Sequence, residues 1–197
     1  MAISLFMILD PPGAIPVMVR ITSELDEEER LKLSIYVTIF VLILLIVFTI
    51  LGDYILMYFG ISYAALKIAG GILIGLIEFE MTRAGEKPRT KKDRIVSVEE
   101  AYSNALVPLA SPLLVGPGAI SLSILNGALY GYVPSILSAF LASIFTFPFI
   151  YYSRSIGRLL GSRGVRILTR ILGIFILAIG IQYIIDGIEI FISPFLI

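Results

Sequence analysis

Long apolar runs separated by short polar connections dominate the chain. Leu33 to Leu51 is 19 residues without a charge, and Val133 to Ser153 is a second charge-free run of similar length. Each matches the roughly 20 residues a helix needs to cross a bilayer. Ile61 to Ile77 is apolar except for Lys67, which is expected to snorkel to the headgroups along its methylene stem. Ile171 to Ile192 is a fourth run, with Gln182, Asp186 and Glu189 toward its far end. Two further stretches, Met1 to Val19 and about Ala101 to Leu129, are apolar but interrupted by proline and glycine. The pattern predicts an all-α protein of six spans, with spans one and four broken.

Composition turns that pattern into a membrane protein. The chain is 58% hydrophobic, with a mean hydropathy of +0.98, against roughly 45 to 50% apolar content in soluble domains. Six spans with short loops use up its 197 residues. His and Cys are both absent, which excludes imidazole and thiolate chemistry and leaves no disulfide. The apolar start lacks a basic leader region and runs straight into Asp10-Pro11-Pro12, so it is read as a first span rather than a signal peptide.

Net charge is zero, so only the placement of charges is informative. Basic residues follow span one (Arg20, Arg30, Lys32), span three (Arg83, Lys87, Arg89, Lys91, Lys92, Arg94) and span five (Arg154, Arg158, Arg163, Arg166, Arg170). These are 14 of the 15 Lys and Arg. The second and fourth connections, Gly52 to Gly60 and Asn126 to Tyr132, hold none. By the positive-inside rule the basic loops face the cytoplasm, and both termini lie outside it. The acidic run Glu24 to Glu29 reads as the solvated start of a helix.

The chain also repeats internally. A shift of 105 lays Pro12-Gly13-Ala14-Ile15 on Pro117-Gly118-Ala119-Ile120, and a shift of 103 lays Lys67 to Ile74 on Arg170 to Leu177. Spans one to three thus match spans four to six, and an odd number of spans per half requires opposite insertion of the two halves. The expected organisation is a first three-helix repeat over 1–82, a basic cytoplasmic linker over 83–100 and an inverted second repeat over 101–197.

Paired broken helices at corresponding positions point to a transporter's substrate site. Asp10 reads as an N-cap, with Pro11 opening a new half-helix that continues through Pro12, Gly13 and Ala14. Gly116, Pro117 and Gly118 open a second half-helix, continued by Ala119 and Ser121. Two half-helix N-termini at mid-depth offer free N–H groups and positive dipole ends to an anionic group. Asp10 adds a carboxylate for an amine, so a zwitterionic amino acid suits the site. The plainer alternative is that Asp10 only caps a kinked helix, although charge at mid-depth costs at least about 2.5 kcal/mol. Asn104, Ser111, Ser121, Ser123 and Asn126 line the second broken span, where each can bond a substrate but singly suits an interhelical hydrogen bond better; Gln182 and Asp186 can face the cavity, with solvation at the outer interface the alternative for Asp186. Gly70, Gly71, Gly75, Gly173 and Gly180 mark close helix packing.

At Asp10-Pro11-Pro12-Gly13-Ala14-Ile15-Pro16, Lys67-Ile68-Ala69-Gly70-Gly71-Ile72-Leu73, Pro112 to Ile120 and Gln182 to Gly187, the chain resembles the MarC family, also called UPF0056 membrane proteins. The resemblance covers essentially the whole chain. It implies a fold similar to the LysE-type exporters, six helices in two inverted repeats. It further implies, from some relatives, transport of small neutral amino acids such as glycine and alanine. The family's motif falls on Asp10, Pro11, Gly13, Pro16, Pro112, Gly116, Pro117 and Gly118. Pro12 departs from its usual small or apolar residue.

The expected function is therefore a secondary transporter of the cytoplasmic membrane working by alternating access, with no enzymatic activity and no cofactor or metal. Coupling to protons through a carboxylate and coupling to sodium through freed carbonyls both remain open. A channel, or a non-transporting protein on the same fold, is the alternative. An intramembrane enzyme is disfavoured, because a carboxylate dyad would have to join Asp10 to a residue as distant as Asp186. No nucleic-acid partner is expected, since the basic loops are explained by orientation.

Overall fold

The computed structural model describes residues 1–22, 25–84 and 114–193, and every regular element among them is a helix. Helices α1 (Ala2–Leu9) and α2 (Pro11–Ile21) meet at Asp10. They are followed by α3 (Glu27–Phe59), α4 (Tyr63–Ala84), α5 (Pro117–Tyr130), α6 (Tyr132–Tyr151) and α7 (Ser153–Ile192). Among the described residues three helices are long and apolar enough to cross a membrane: Glu27–Phe59, Tyr132–Tyr151 and Arg170–Ile192. Ala2–Ile15 and Tyr63–Leu76 are shorter apolar segments.

The termini of these helices follow from local chemistry. Asp26 caps α3 in a reciprocal capping box, in which the Glu29 N–H donates to Asp26 Oδ1 at 2.8 Å and the Asp26 N–H donates to Glu29 Oε2 at 2.9 Å. The acids from Asp26 to Glu29 are therefore a helix start, as the composition suggested. At the other end of α3, Gly60 takes a left-handed φ of 64° and the Ile61 N–H reaches back to the Leu56 carbonyl. With 33 residues, α3 is about 50 Å long at 1.5 Å per residue and exceeds the bilayer core at both ends.

Three connections differ from the sequence expectation. Gly52 to Phe59 is helical, and the second connection shrinks to residues 60–62. Asn126 to Tyr130 belongs to α5, which leaves Gly131 alone, at φ 83°, to turn the chain into α6. The basic segment after Tyr151 is helix rather than loop, broken only at Gly161. The first two errors share a cause: Gly52 and Gly127 look like turn glycines in sequence but are sites of close packing. A Cβ on Gly52 would strike Ile124, and one on Gly127 would strike the Thr49 backbone oxygen.

The surface of the bundle is as apolar as its interior. In α3 the buried stripe is Leu33, Val37, Val41 and Leu45, recurring every four residues, while Ile39, Ile43 and Val47 on the other faces are exposed. Phe140, Phe145, Ile174, Phe175 and Ile185 are likewise exposed, whereas Ser34, Thr49, Ser121, Ser123, Asn126, Ser143 and Thr146 are buried. An apolar exterior of this extent requires a hydrocarbon solvent, with the polar groups facing inward. Many of those hydroxyls return to their own helix: Ser123 Oγ donates to the Ala119 carbonyl at 2.8 Å and Thr146 Oγ1 to the Ala142 carbonyl at 2.9 Å.

The helices pair in a regular way. α3 packs on α6 and α4 on α7; α1 and α2 pack on α6 as α3 packs on α5, and α2 packs on α7 as α4 packs on α5. The tightest seam joins α4 and α7. Gly71 and Gly180 each sit against the other's carbonyl oxygen, and Gly187 sits against the Ala64 carbonyl. These pairs run in opposite order along the two helices, so the pair is antiparallel. Small residues allow this approach in a membrane, where lipid competes with any side chain for apolar contact.

The seam predicts a contrast between two neighbouring glycines. Gly71→Ala should destabilise the protein by about 1 to 3 kcal/mol, because its methyl meets backbone that cannot yield. Gly75→Ala should be near neutral, since its Cβ would lie 3.7 Å from Leu177 Cδ1, an ordinary contact. Thermal unfolding of both variants in one detergent would measure this; equal midpoints would mean the seam is not tight.

Candidate functional site

Asp10 is the centre of the first break. It is 3% exposed and is the non-glycine residue among those described with a positive φ, at φ 44° and ψ 59°. Asp tolerates the left-handed region better than most residues because its short side chain bonds locally. Here it terminates one helix and starts the next. Its backbone N–H donates to the Met7 carbonyl at 3.1 Å, closing α1. Its Oδ1 accepts the Gly13 N–H at 3.1 Å, capping α2. Pro11 and Pro12 follow at the first two helical positions, where a missing N–H costs nothing.

The expected N-cap bond is thus present, but its backbone differs from the extended geometry usual for a cap. Gly13 is required by the same arrangement, because a Cβ there would collide with the Asp10 carboxylate. That carboxylate folds back over the first turn of α2 and fills the anion position at this N-terminus.

The start of α5 is different. Gly116 is its N-cap, at φ −79° and ψ 177°, and makes no side-chain cap bond; Pro117 is the first helical residue. Gly118 is wedged between helices, and a Cβ there would meet Ile74 of α4 and approach Ile8 of α1 to 3.3 Å. The second break therefore lies beside α1, two residues short of Asp10. Ala119 and Ser121 are buried one turn further on, with Ser121 against Gly70.

Beside Asp10 lies a small cavity of about 20 Å³, lined by Phe6, Met7, Asp10, Pro11, Pro12, Leu172 and Ile176. It has room for about one water and no larger solute. Leu172 and Ile176 were not foreseen as neighbours of Asp10. The repeat offset of 103 carries a signal for them: both fall in the segment that matches Lys67 to Ile74, whose Gly70 and Ile74 touch the second break.

Not every candidate joins this group. Gln182 is exposed, and its Nε2 donates to Asp186 Oδ1 at 2.6 Å, about 9 Å along α7 from Ile176 at 1.5 Å per residue. Asp186 Oδ2 in turn accepts from Lys67 Nζ at 2.9 Å, and Lys67 also lies over the Tyr183 ring at 5.8 Å. Lys67 is therefore paired with a carboxylate of the facing helix. Ser111, Pro112 and Asn104 lie outside the described residues, as does the linker from 85 to 100.

A helical bundle with an apolar exterior, polar side chains buried among its apolar packing and a carboxylate buried at a helix break defines a polytopic integral membrane protein. The chain belongs to the MarC family of integral membrane proteins, whose profile matches residues 1–192. It is 36% identical over 190 residues to a UPF0056 membrane protein of Methanocaldococcus jannaschii, covering 94% of this chain and 93% of that one. It is 37% identical over 188 residues to one from Archaeoglobus fulgidus, covering 93% and 88%, and 36% identical over 195 residues to YhcE of Escherichia coli, covering 95% and 89%. No solved structure matches the chain.

The cap predicts the behaviour of two variants. Gly13→Ala should push the carboxylate off the Gly13 N–H and cost about 0.5 to 2 kcal/mol, the usual worth of a cap. Asp10→Asn keeps an oxygen acceptor for that N–H and should lose less. Unfolding midpoints would rank them, and an Asp10→Asn protein less stable than Gly13→Ala would contradict the capping geometry.

Proposed function

We propose that this protein is a secondary transporter for small zwitterionic solutes, of the glycine or alanine type, rather than an enzyme. The observation that carries the reading is the pair of helix starts inside an apolar bundle, one closed by its own buried carboxylate and the other without a side-chain cap. Their chemistry divides the roles. The N-terminus of α2 already has its anion in Asp10, so a substrate carboxylate would go to the first N–H groups of α5, at Gly118 and Ala119. The substrate ammonium would go to Asp10.

The pairing of helices supports an inverted repeat: α3 with α6 and α4 with α7 join equivalent helices, and the α1/α2–α6 and α2–α7 contacts have counterparts in α3–α5 and α4–α5. In that arrangement one half rocks against the other about the central site. A cavity with room for about one water is too small for an amino acid, so binding would require the α1/α2 break to part from Leu172 and Ile176. Carbonyls at the breaks can coordinate sodium, and proton coupling through a carboxylate is the alternative.

Uptake of labelled glycine and alanine into proteoliposomes, with and without proton or sodium gradients, tests the reading. Gradient-driven, saturable uptake should appear with the intact protein and fall at least about tenfold in Asp10→Asn, the loss of one charged contact. Uptake unchanged in the variant would reduce Asp10 to a helix cap, and no uptake under any gradient would remove the substrate class.

The same reading places the protein in the cytoplasmic membrane with both termini outside the cytoplasm. Because the natural chain has no cysteine, single cysteines report this directly. One at Lys91 should resist impermeant thiol reagents in intact cells and one at Tyr130 should react; the reverse pattern would invert the topology.

A further inference from the structure

We infer that the corner of α7 around Gly161 is a docking surface for the headgroups of anionic phospholipid. Between Ser153 and Arg170 the chain carries Arg154, Arg158, Arg163, Arg166 and Arg170, with no Lys, Asp or Glu. Orientation alone asks only for positive charge, which Lys supplies as well. An all-Arg set adds planar guanidinium forks that bind a phosphate through two parallel hydrogen bonds.

The geometry gives this segment a membrane-facing side. Gly161 takes φ 61° and ψ 175°, breaking the helix into Ser153–Leu160 and the long span that follows, and the space around it is open. Gly157 faces α2, because a Cβ there would lie 3.0 Å from Val19 Cγ2. Leu159, two residues and about 200° further round the helix, points the opposite way. It is 86% exposed, the most exposed large apolar side chain among the described residues. Arg158 and Arg163, on either side of the break, are exposed with it.

An apolar anchor flanked by cations at the end of a span is the arrangement of an interfacial helix. Arg163 precedes the apolar stretch Arg170–Ile192 by seven residues, about 10 Å, which keeps it at headgroup depth. The acids at the start of α3 are already engaged: Glu27 accepts from Tyr151 Oη, Glu28 pairs with Lys32 and Glu29 completes the α3 cap. Among the described residues none pairs with Arg158 or Arg163. A soluble acidic partner would leave Leu159 in water, whereas a bilayer takes both the leucine and the charge.

Native mass spectrometry after extraction from bilayers of equal phosphatidylcholine and phosphatidylglycerol, with matched acyl chains, tests this. The intact protein should retain phosphatidylglycerol about tenfold over phosphatidylcholine, as expected for charges at an anionic surface. The preference should vanish in R158Q/R163Q, fall only in part in R158K/R163K, and fall in Leu159→Ser. Helical circular dichroism and size exclusion establish that each variant is folded. If the double variant fails that check, R158Q and R163Q alone carry the test, each losing part of the preference. Equal retention of the two lipids, a preference unchanged in the glutamine variants, or its abolition by millimolar inorganic phosphate would overturn the inference. The outcome is independent of whether the protein transports anything.

Discussion

A backbone in hydrocarbon has no water to fall back on, so every N–H and carbonyl must find its partner within the protein. This constraint governs the junction at Asp10, where a span stops and restarts inside the bundle. One residue resolves it by serving both helices: its backbone N–H closes α1, and its carboxylate closes the first turn of α2. The prolines remove two donors that would otherwise need partners, and Gly13 leaves room for the carboxylate to fold back. The break thus finds partners for its backbone donors around a side chain that is 3% exposed.

Two kinds of contact then hold the helices around that junction. Apolar packing of Leu5, Leu9, Met18, Leu33, Val37 and Val41 fills the centre. Backbone-to-backbone approach at Gly71, Gly180 and Gly187 joins α4 to α7, with the Lys67–Asp186 pair near one end of the seam. The contrast is physical. Apolar side chains gain little over lipid by packing together, so close glycine contacts and a directed ion pair make a membrane seam specific. Asp186, which looked in sequence like a residue for either the cavity or the solvent, is instead part of this joint. Gln182 is drawn with it, away from the Asp10 group.

Membrane embedding, the break at Asp10 and the helix start at Pro117 were all legible in the residues, because each depends on chemistry local to a few positions. Proline lacks a donor wherever it sits, and a run of 19 apolar residues suits hydrocarbon in any fold. Glycine was read less well. Gly52 and Gly127 were assigned to connections, since a glycine marks a turn and a tight helix contact with the same letter. Only a neighbouring helix distinguishes the two uses.

By itself, then, the sequence determined a helical membrane protein of the MarC family with two proline-glycine interruptions and a strongly one-sided distribution of basic residues. The tertiary structure decided which groups meet: Leu172 and Ile176 at Asp10, Ile8 and Ile74 at Gly118, and Lys67 with Asp186 across 119 residues of chain. Partners of this kind depend on helix rotation and crossing. Those are set by the summed packing of many side chains rather than by any local motif.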